Sequence, residues 1–481
     1  MAAVSPLELS AIITFRGSGR APGAHFRGAG GVGRSRGHCS QARRGLTIRL
    51  MAFLRQVSSY YLATAHPAEP RPQLAGDVDC DVCVVGGGIA GCSTALHLAE
   101  RGYRVVLVEE HRIGWGASGR SGGQVLPGTA AGPLEIERLA GLNVARQVWN
   151  ISVEGVDLVR SLIARHAIDC NWVSGHMQVA ITPRHDGELR AIARDLPERF
   201  GYSTARYMPL EEVRSILDTK RYIAALFDER GGHLHPLNYT LGLAAAAERR
   251  GARIFEGTRA LEFERHTPAG AALSVRTARG TVRCSQLALC GNAHLGRTAR
   301  ELASKIMAVG TCVITTGPLG PQRARRLITN NAAVSDMNWV LDYFRRTADD
   351  RLLFGGRVTY SGFDPSRIAA TTRRRLVNVF PQLADAKVEH AWGGYLDITM
   401  NRAPHFGRLG RNVYFLQGFS GHGIALAGIA GKLLAEAVAG QAERFDVFAR
   451  IPHRDFPGGA LLRRPALVLA MLYYRIKDLL S

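Results

Sequence analysis

The chain has 481 residues, of which 46% are hydrophobic, and its formal net charge is +21. The length exceeds that of one ordinary domain, and the apolar fraction is sufficient for a full core. No segment interleaves Lys or Arg with aromatic residues as a nucleic-acid-binding surface does, so we expect no nucleic-acid partner. No apolar run reaches the roughly 18 residues that span a bilayer.

The first fifty residues differ from the rest of the chain. Residues 1–50 hold eight Arg but only one acidic residue, Glu8. They also lack hydrophobic periodicity, which predicts disorder. The composition is typical of an organelle transit peptide, but the segment could equally lie upstream of a true start at Met51. We therefore assign residues 1–57 to an N-terminal extension that is either cleaved or not translated.

The strongest motif follows this extension. Val82–Val85 is a β-branched run, as expected for a buried parallel strand. It leads into Gly86-Gly87-Gly88-Ile89-Ala90-Gly91, which has the GxGxxG spacing. A helix is predicted over 92–101, and a second strand over 104–108 ends at Glu109. Strand, glycines, helix, strand and acid in this order predict a dinucleotide site rather than a glycine-rich turn without a ligand.

The residue types of this motif suit that ligand. Gly86 allows the tight turn, Gly88 lets the backbone approach a pyrophosphate, and Gly91 lets the helix and strand pack closely. The pyrophosphate would lie at the helix N-terminus, beside Ile89 and Ala90. Glu109 can accept hydrogen bonds from a ribose.

The remaining periodic segments alternate between helix and strand. Helices are predicted, in chain order, over 134–166, 183–201, 209–217, 237–250, 367–380 and 424–439. Strands are predicted over 176–181, 253–256, 258–265, 273–277, 280–284, 287–290, 309–316, 339–343, 352–357, 388–395 and 412–417. The glycine-containing stretch Gly231–Pro236 is predicted to be a turn.

A second glycine-rich loop lies near the end of the chain. Gly418-Phe419-Ser420-Gly421-His422-Gly423 separates a predicted strand from an apolar helix that opens at Ile424. N–H groups at this helix N-terminus could stabilise negative charge that develops on a reduced flavin. A flavin therefore fits better than nicotinamide. A packing loop without a ligand is the alternative. The strand at 287–290 ends on Gly291 in a similar way, where the adenosine half is usually enclosed.

A third glycine-rich stretch, Gly114–Gln124, directly follows the second strand of the motif. Ser118 and Ser121 can donate to phosphate or ring oxygens, and Arg120 can offset phosphate or flavin charge. A mobile surface loop is the alternative, but the position after the strand favours contact with a ligand.

These motifs resemble the FAD-dependent amine and amino-acid oxidoreductases of the D-amino-acid oxidase, glycine oxidase and sarcosine oxidase type. The matching pieces include CDVCVVGGG, IGWGASGRSGGQ, GGHLHPLN, LDYFRRTADDRLLFGGR, GFSGHG and AERFDVFARIPHRDFPGG, and they follow the family's order. The likeness runs from about Ser58 to the C-terminus. It leaves out residues 1–50, which favours Met51 as the true start.

The resemblance implies a set of FAD contacts. Asparagine is usual in the family where this chain has Ser121, which alters the contact near the ring. Relatives with covalent FAD carry a cysteine shortly before the final glycine-rich loop, whereas the last cysteine of this chain is Cys312, so non-covalent FAD is implied. The implied FAD-binding residues are Gly86, Gly88, Ile89, Ala90, Gly91, Glu109, Ser118, Arg120, Ser121, Gly122, Gly123, Gln124, Ala260, Gly291, Gly418, Phe419, Ser420, Gly421, His422, Gly423 and Ile424.

The implied fold is α/β, with a Rossmann-like, discontinuous FAD-binding domain and a second, antiparallel-sheet α+β substrate domain. We assign residues 78–135, 225–300 and 386–445 to the FAD-binding domain, and 136–224 and 301–385 to the substrate domain. Residues 446–481 form a C-terminal tail. Its apolar run at 466–474 is too short to span a bilayer, and we expect a helix packed on the body, with a membrane-surface contact as the alternative.

The implied reaction is oxidation of an amine C–N bond to an aldehyde, ammonia and hydrogen peroxide, with oxygen as the acceptor. A gamma-glutamylputrescine-like polyamine derivative is the implied substrate. No acid–base pair stands out, so His422 and Arg120 are the catalytic candidates, and His422 could equally be structural. His176, Tyr343 and Arg357 are candidates for the substrate pocket.

Two other functions remain open: an amino-acid dehydrogenase that passes electrons to a quinone, and a flavin-binding protein without catalysis. The scattered cysteines suit a reducing compartment, so we expect a cytoplasmic protein. Cys80 and Cys83 have metal-site spacing, but Cys83 lies within the first strand and no second pair follows, so no metal is expected. The sequence leaves the oligomeric state undetermined.

Overall fold

The computed structural model describes residues 59–266, 272–296, 298–338, 340–359 and 364–457. All of them belong to the unit Val57–Ser481. The predicted extension at 1–57 and the apolar run at 466–474 lie outside the described residues. In the described part of the chain, no helix is both long and apolar enough to cross a membrane.

Strands and α-helices are interspersed along the described part of the chain. The strands are β1 (Val78–Asp79), β2 (Val82–Val85), β3 (Val105–Val108), β4 (Gln124–Val125), β5 (Val173–Ala180), β6 (Ala205–Met208), β7 (Ala224–His233), β8 (Arg253–Phe255), β9 (Glu262–His266), β10 (Ala272–Arg276), β11 (Thr281–Cys284), β12 (Gln286–Leu289), β13 (Met307–Thr316), β14 (Ala333–Asp336), β15 (Tyr343–Arg346), β16 (Leu352–Thr359), β17 (Val388–Ile398), β18 (His405–Arg408) and β19 (Val413–Gln417). The α-helices are α1 (Tyr60–Thr64), α2 (Ile89–Ala99), α3 (Pro133–Ala140), α4 (Leu142–His166), α5 (Pro183–Phe200), α6 (Leu210–Ile216), α7 (Pro236–Arg249), α8 (Arg300–Ala303), α9 (Pro321–Leu327), α10 (Pro365–Val379), α11 (Ile424–Val438) and α12 (Glu443–Asp446).

The first large sheet has the strand order β18-β19-β12-β2-β3-β8. All its pairs are parallel except the pair of β18 with β19. Side chains of β2 alternate between two apolar clusters. Val82 and Val84 pack with residues of α2 and α11, while Cys83 and Val85 pack with residues of β10 and β11. The sheet is therefore covered by helices on one face and by a smaller sheet, β1-β11-β10-β9, on the other.

The second large sheet has the order β17-β13-β16-β15-β14-β5-β7-β4, and β6 also pairs with β7. It is antiparallel apart from the pair of β5 with β14. A Rossmann-like unit with a second, mainly antiparallel sheet is the fold that the sequence predicted.

Sheet membership differs from the predicted domain limits at three strands. Strand β4 pairs with β7, β7 pairs with β5 and β17 pairs with β13. The predicted segments 78–135, 225–300 and 386–445 assign these strands to the FAD-binding domain, but their hydrogen bonds are in the second large sheet. The rest of the division stays a prediction.

Four predicted elements were wrong in detail. The strand predicted over 258–265 begins only at Glu262. The predicted turn Gly231–Pro236 begins instead as the end of β7, because a Cβ on Gly232 would lie 2.3 Å from the Val173 oxygen and glycine lets the strands approach. The helix predicted over 134–166 breaks at Gly141, where φ is +85°. The strand predicted over 339–343 begins only at Tyr343, because the Asp342 N–H donates to Asp336 Oδ1 and closes a turn.

Candidate functional site

The glycine turn after β2 is closed by backbone contacts that admit no side chain. Gly86 has φ of +110°, and a Cβ there would lie 2.8 Å from the Cys290 oxygen. A Cβ on Gly91 would lie 1.9 Å from the Gly86 oxygen. These two positions therefore require glycine, and the N-terminus of α2 remains close to the ends of β2 and β12.

Ser118 and Gly88 define the open end of α2. Gly88 is the N-cap residue and supplies no side-chain cap. The Ile89 N–H donates to Ser118 Oγ at 2.9 Å, and a Cβ on Gly88 would lie 2.9 Å from the same oxygen. Gly88 and Ile89 of the turn therefore meet Ser118 of the glycine-rich stretch at one helix N-terminus, which suits a pyrophosphate.

Glu109 lies at the end of β3, beside this turn. Its Oε2 accepts from the Gly87 N–H at 2.7 Å, and its Oε1 accepts from the His111 N–H at 2.8 Å. Burial raises the pKa of Glu109, and these two N–H groups oppose the rise. The carboxylate is thus oriented toward the glycine turn, where a ribose would lie.

Arg120 is held by main-chain oxygens and an indole ring. Its Nε donates to the Trp115 oxygen at 2.7 Å and its Nη1 to the Gly393 oxygen at 3.2 Å. The guanidinium carbon lies 5.0 Å from the centroid of the Trp115 ring. Burial lowers the pKa of Arg120. These partners are neutral, so the cation can interact with an anionic cofactor group.

The next two residues of the loop, Gly122 and Gly123, pack so closely against their neighbours that neither has room for a Cβ. A Cβ on Gly122 would lie 2.5 Å from Tyr343 Cε2, and one on Gly123 would lie 2.3 Å from the Leu234 oxygen. Ser121 Oγ accepts from the Gly123 N–H at 3.4 Å. The residue after them is also fixed, because Gln124 Nε2 donates to the Val334 oxygen at 2.9 Å.

The second glycine-rich loop, from Gly418 to Gly423, has the backbone that its sequence predicts. Gly418, Ser420 and Gly421 have φ of +79°, +51° and +89°, and α11 begins at Ile424. His422 Nε2 lies 2.9 Å from the Pro127 oxygen, to which it can only donate, and this leaves Nδ1 as an acceptor. Burial lowers the pKa of His422. Phe419 packs on Phe406 at 5.4 Å between ring centroids.

Two further FAD contacts are predicted outside these loops. Gly291 lies two residues after the end of β12, next to the Cys290 oxygen that faces Gly86. Ala260 is buried, and its carbonyl accepts from Thr298 Oγ1 at 3.0 Å. Their contact with FAD stays a prediction.

The predicted substrate residues divide into three cases. His176 is buried, its Nε2 lies 3.0 Å from Ser335 Oγ, and burial, with His422 nearby, lowers its pKa to about 3. Tyr343 lies between two glycines, since a Cβ on Gly355 would lie 2.1 Å from its Cζ. Burial also raises the pKa of Tyr343. The side chain of Arg357 lies outside the described part of the structure.

Sequence reasoning missed two buried charged residues that hold these loops. Arg345 is 4% exposed and donates to the Gly122 oxygen at 2.8 Å. Asp397 is 1% exposed and accepts from the N–H groups of Gly418 and Phe419. For Asp397 the available signal was an acidic residue near the end of a strand whose central part, AWGGYL, is apolar or glycine, whereas β15, with the sequence YFRR, offered no such contrast for Arg345.

The residues present fit FAD. The α2 N-terminus, Glu109 and the 117–124 loop form one cradle whose glycines exclude a Cβ, and a second glycine-rich loop precedes α11. Among the described residues, no group of three or more His, Cys, Asp or Glu side chains is arranged to hold a metal ion.

Comparisons with known proteins bear on the family to which the chain belongs. The family model described as "FAD dependent oxidoreductase" matches residues 81–437. Gamma-glutamylputrescine oxidoreductase from Escherichia coli (strain K12) is 42% identical over 425 residues, which cover 88% of this chain and 99% of that protein. Glycine oxidase from Geobacillus kaustophilus (strain HTA426) is 23% identical over 385 residues, which cover 76% of this chain and 95% of that protein.

Solved structures show the same fold. The crystal structure of glycine oxidase from Geobacillus kaustophilus has a TM-score of 0.66 at 20% identity, covering 79% of this chain and 99% of that one. L-proline dehydrogenase from P. horikoshii has a TM-score of 0.63 at 21% identity, covering 79% and 96%. With the family model and the curated relatives, the chain belongs to the FAD-dependent oxidoreductase family of D-amino-acid oxidase type, and FAD is its cofactor.

Proposed function

We propose that this enzyme oxidises the C–N bond of an amine, and that its substrate is gamma-glutamylputrescine or a related polyamine derivative. The observation that carries the proposal is the 42% identity to a gamma-glutamylputrescine oxidoreductase across 99% of that protein's length. The proposed overall reaction converts the amine, oxygen and water to an aldehyde, ammonia and hydrogen peroxide. FAD, when bound, supplies the two-electron acceptor for the amine.

The charge state of the site supports an amine that binds unprotonated. Burial lowers the pKa of His176 to about 3 and also lowers the pKa of His422. Both imidazoles are therefore neutral near pH 7, and His422 Nδ1 is an acceptor for an amine N–H. Tyr343 packs against Gly122 of the cofactor loop. Arg120 supplies positive charge on the cofactor loop.

Non-covalent FAD and a cytoplasmic location are further parts of the proposal. The cysteines in the described part of the chain are all buried. The last of them, Cys312, lies in β13 rather than in the segment that precedes the 418–423 loop. Release of the flavin from acid-denatured protein into the supernatant would support non-covalent binding, whereas flavin that remains with the precipitate would refute it.

The substrate is tested by anaerobic mixing of the purified holoenzyme with a panel of amines while the flavin absorbance is followed. We expect gamma-glutamylputrescine to bleach the flavin faster than free putrescine or D-amino acids. Bleaching by D-amino acids but not by gamma-glutamylputrescine would overturn the substrate assignment. A flavin spectrum that no amine changes would favour the non-catalytic alternative.

The electron acceptor is tested separately. We expect one hydrogen peroxide per amine oxidised when the reduced enzyme meets oxygen. Turnover that requires a quinone dye and yields no peroxide would favour the dehydrogenase alternative, and it would leave the amine assignment intact.

A further inference from the structure

Asp397 links the second large sheet to the loop before α11. It lies one residue before the end of β17, and its side chain is 1% exposed. The carboxylate accepts from the Gly418 N–H and, at 3.3 Å, from the Phe419 N–H. The main-chain oxygen of Asp397 also accepts from the Ser420 N–H at 3.0 Å. Three consecutive N–H groups of the loop are therefore fixed by one residue.

The same carboxylate reaches a second cofactor loop. The side chain of Asn292 lies close enough to Asp397 to favour the ionised carboxylate and so to lower its pKa. Asn292 follows Gly291 after β12 and has φ of +52°. One buried carboxylate thus bonds to the loop after β19, where the FAD ring is expected, and is influenced by the loop after β12, where the adenosine half is expected.

The partners of Asp397 in the described structure are N–H groups and an amide, with no Lys or Arg among them. A buried charge without a cationic partner is unfavourable, and burial raises the pKa of Asp397 to about 7. Serine or asparagine could also accept a loop N–H without this penalty. The carboxylate therefore introduces a charge that the loop geometry alone does not require.

The charge contacts a loop that leads to the positive end of a helix. The loop that Asp397 fixes ends where α11 begins, at Ile424. A helix N-terminus carries roughly half a positive charge, and a full negative charge in a weakly screened interior is enough to offset it. A flavin ring beside residues 419–424 would experience the sum of the two.

We propose that Asp397 is a positioning residue for FAD that holds the Gly418–Ser420 loop in shape and, by its negative charge, makes the bound flavin harder to reduce. The inference rests on FAD lying beside this loop and does not depend on the substrate. Its test needs no amine, so its failure is distinguishable from failure of the proposed function.

The test is a reductive titration of the holoprotein with a reference dye at about pH 8, where the carboxylate is ionised. In Asp397→Asn the charge is lost and the size is kept. We expect the ratio of reduced to oxidised flavin at a fixed potential to rise about tenfold, which is about 30 mV for a two-electron couple. We also expect weaker FAD binding to the apoprotein. Weaker FAD binding with an unchanged flavin potential would overturn the inference, because Asp397 would then only hold the loop in shape.

Two variants separate charge from shape. Asp397→Glu keeps the charge, and we expect its flavin potential to stay near that of the wild type. If Asp397→Glu raises the potential as much as Asp397→Asn, the charge is not the cause and the inference fails. Should Asp397→Asn not fold, Asp397→Ser keeps an acceptor without charge and carries the same expectation.

A matched control lies in the same sheet. Asp228 in β7 is also buried, and it accepts from Tyr202 OH at 2.7 Å and from the Arg230 N–H at 3.0 Å. These partners lie outside the cofactor loops. We expect Asp228→Asn to lower the unfolding temperature and to leave the flavin potential unchanged. An equal rise of the flavin potential in Asp228→Asn and Asp397→Asn would contradict the inference.

Discussion

Arg345 Nε donates to the main-chain oxygen of Gly122 at 2.8 Å, which joins β15 to the loop predicted to run beside the flavin. The same guanidinium donates through Nη2 to the Leu234 oxygen and to Tyr61 OH, both at 3.1 Å. The fork therefore ties the loop to the segment before α7 and to α1. Its planar geometry cannot be reproduced by an ammonium group.

Replacing Arg345 by lysine tests this clamp. We expect Arg345→Lys to lose about 1.5–3 kcal/mol of interaction, as for hydrogen bonds to a charged group. If the loop must be ordered before FAD binds, the Kd of the apoprotein for FAD rises about 10- to 100-fold. Quenching of flavin fluorescence during titration of the apoprotein measures this change.

The neighbouring residue is the control. Arg346 lies on the same strand, and its Nη1 donates to the Ile328 oxygen at 3.3 Å, away from the cofactor loop. Arg346→Lys is expected to leave the FAD affinity within about twofold of the wild type. Equal loss of affinity in both variants would show that general destabilisation, and not the clamp on Gly122, is the cause.

The two glycine-rich loops could be predicted from sequence, because the requirement for glycine is local. Gly91 meets the Gly86 oxygen within one short motif, and Gly86, which also meets the distant Cys290 oxygen, has a φ of +110° that favours glycine locally. Arg345 could not be predicted, because its partner Gly122 is 223 positions away in the chain. Gly231 and Gly232 gave the opposite error, since a glycine that admits a neighbouring strand looks the same in sequence as a glycine in a turn.

Gly91 offers a test of the first loop. A Cβ there would lie 1.9 Å from the Gly86 oxygen, so Gly91→Ala must displace α2 from the turn. We expect purified Gly91→Ala to contain little flavin and to unfold at lower temperature. Gly187 in α5 has nothing within 4 Å of its added Cβ, so Gly187→Ala should keep full flavin content and gain up to about 1 kcal/mol of stability. A higher flavin content and unfolding temperature in Gly91→Ala than in Gly187→Ala would contradict the steric argument.

Tyr343 offers a test of the substrate side. Its ring is confined by Gly122 and Gly355, so Tyr343→Phe keeps the ring in place and removes only the hydroxyl. If that hydroxyl binds the substrate, we expect kcat/KM for the amine to fall about tenfold while the flavin spectrum and potential stay unchanged. Gly355→Ala moves the ring and should lower kcat/KM further. An unchanged kcat/KM in Tyr343→Phe would show that the hydroxyl does not bind the substrate.

Buried histidines make stability depend on pH. Burial lowers the pKa of His176, His233 and His235 to about 3 in the folded chain, whereas an unfolded histidine titrates near 6.5. Between these values the unfolded chain binds more protons, so each group's stabilisation is complete above about pH 6.5 and is lost as the pH falls toward 3. At about pH 5 the loss is about 2 kcal/mol for each histidine.

His235 isolates one of these contributions. Its Nδ1 caps α7 by accepting from the Asn238 N–H at 3.1 Å, and asparagine is an equally suitable N-cap residue. His235→Asn therefore keeps the cap and removes the titration. Denaturant unfolding of the wild type and the variant at about pH 7.5 and pH 5 measures the difference. We expect the variant to lose about 2 kcal/mol less than the wild type over this interval, because it has one fewer imidazole to protonate on unfolding. Parallel losses in the two proteins would mean that His235 is protonated to the same extent in the folded and unfolded chains.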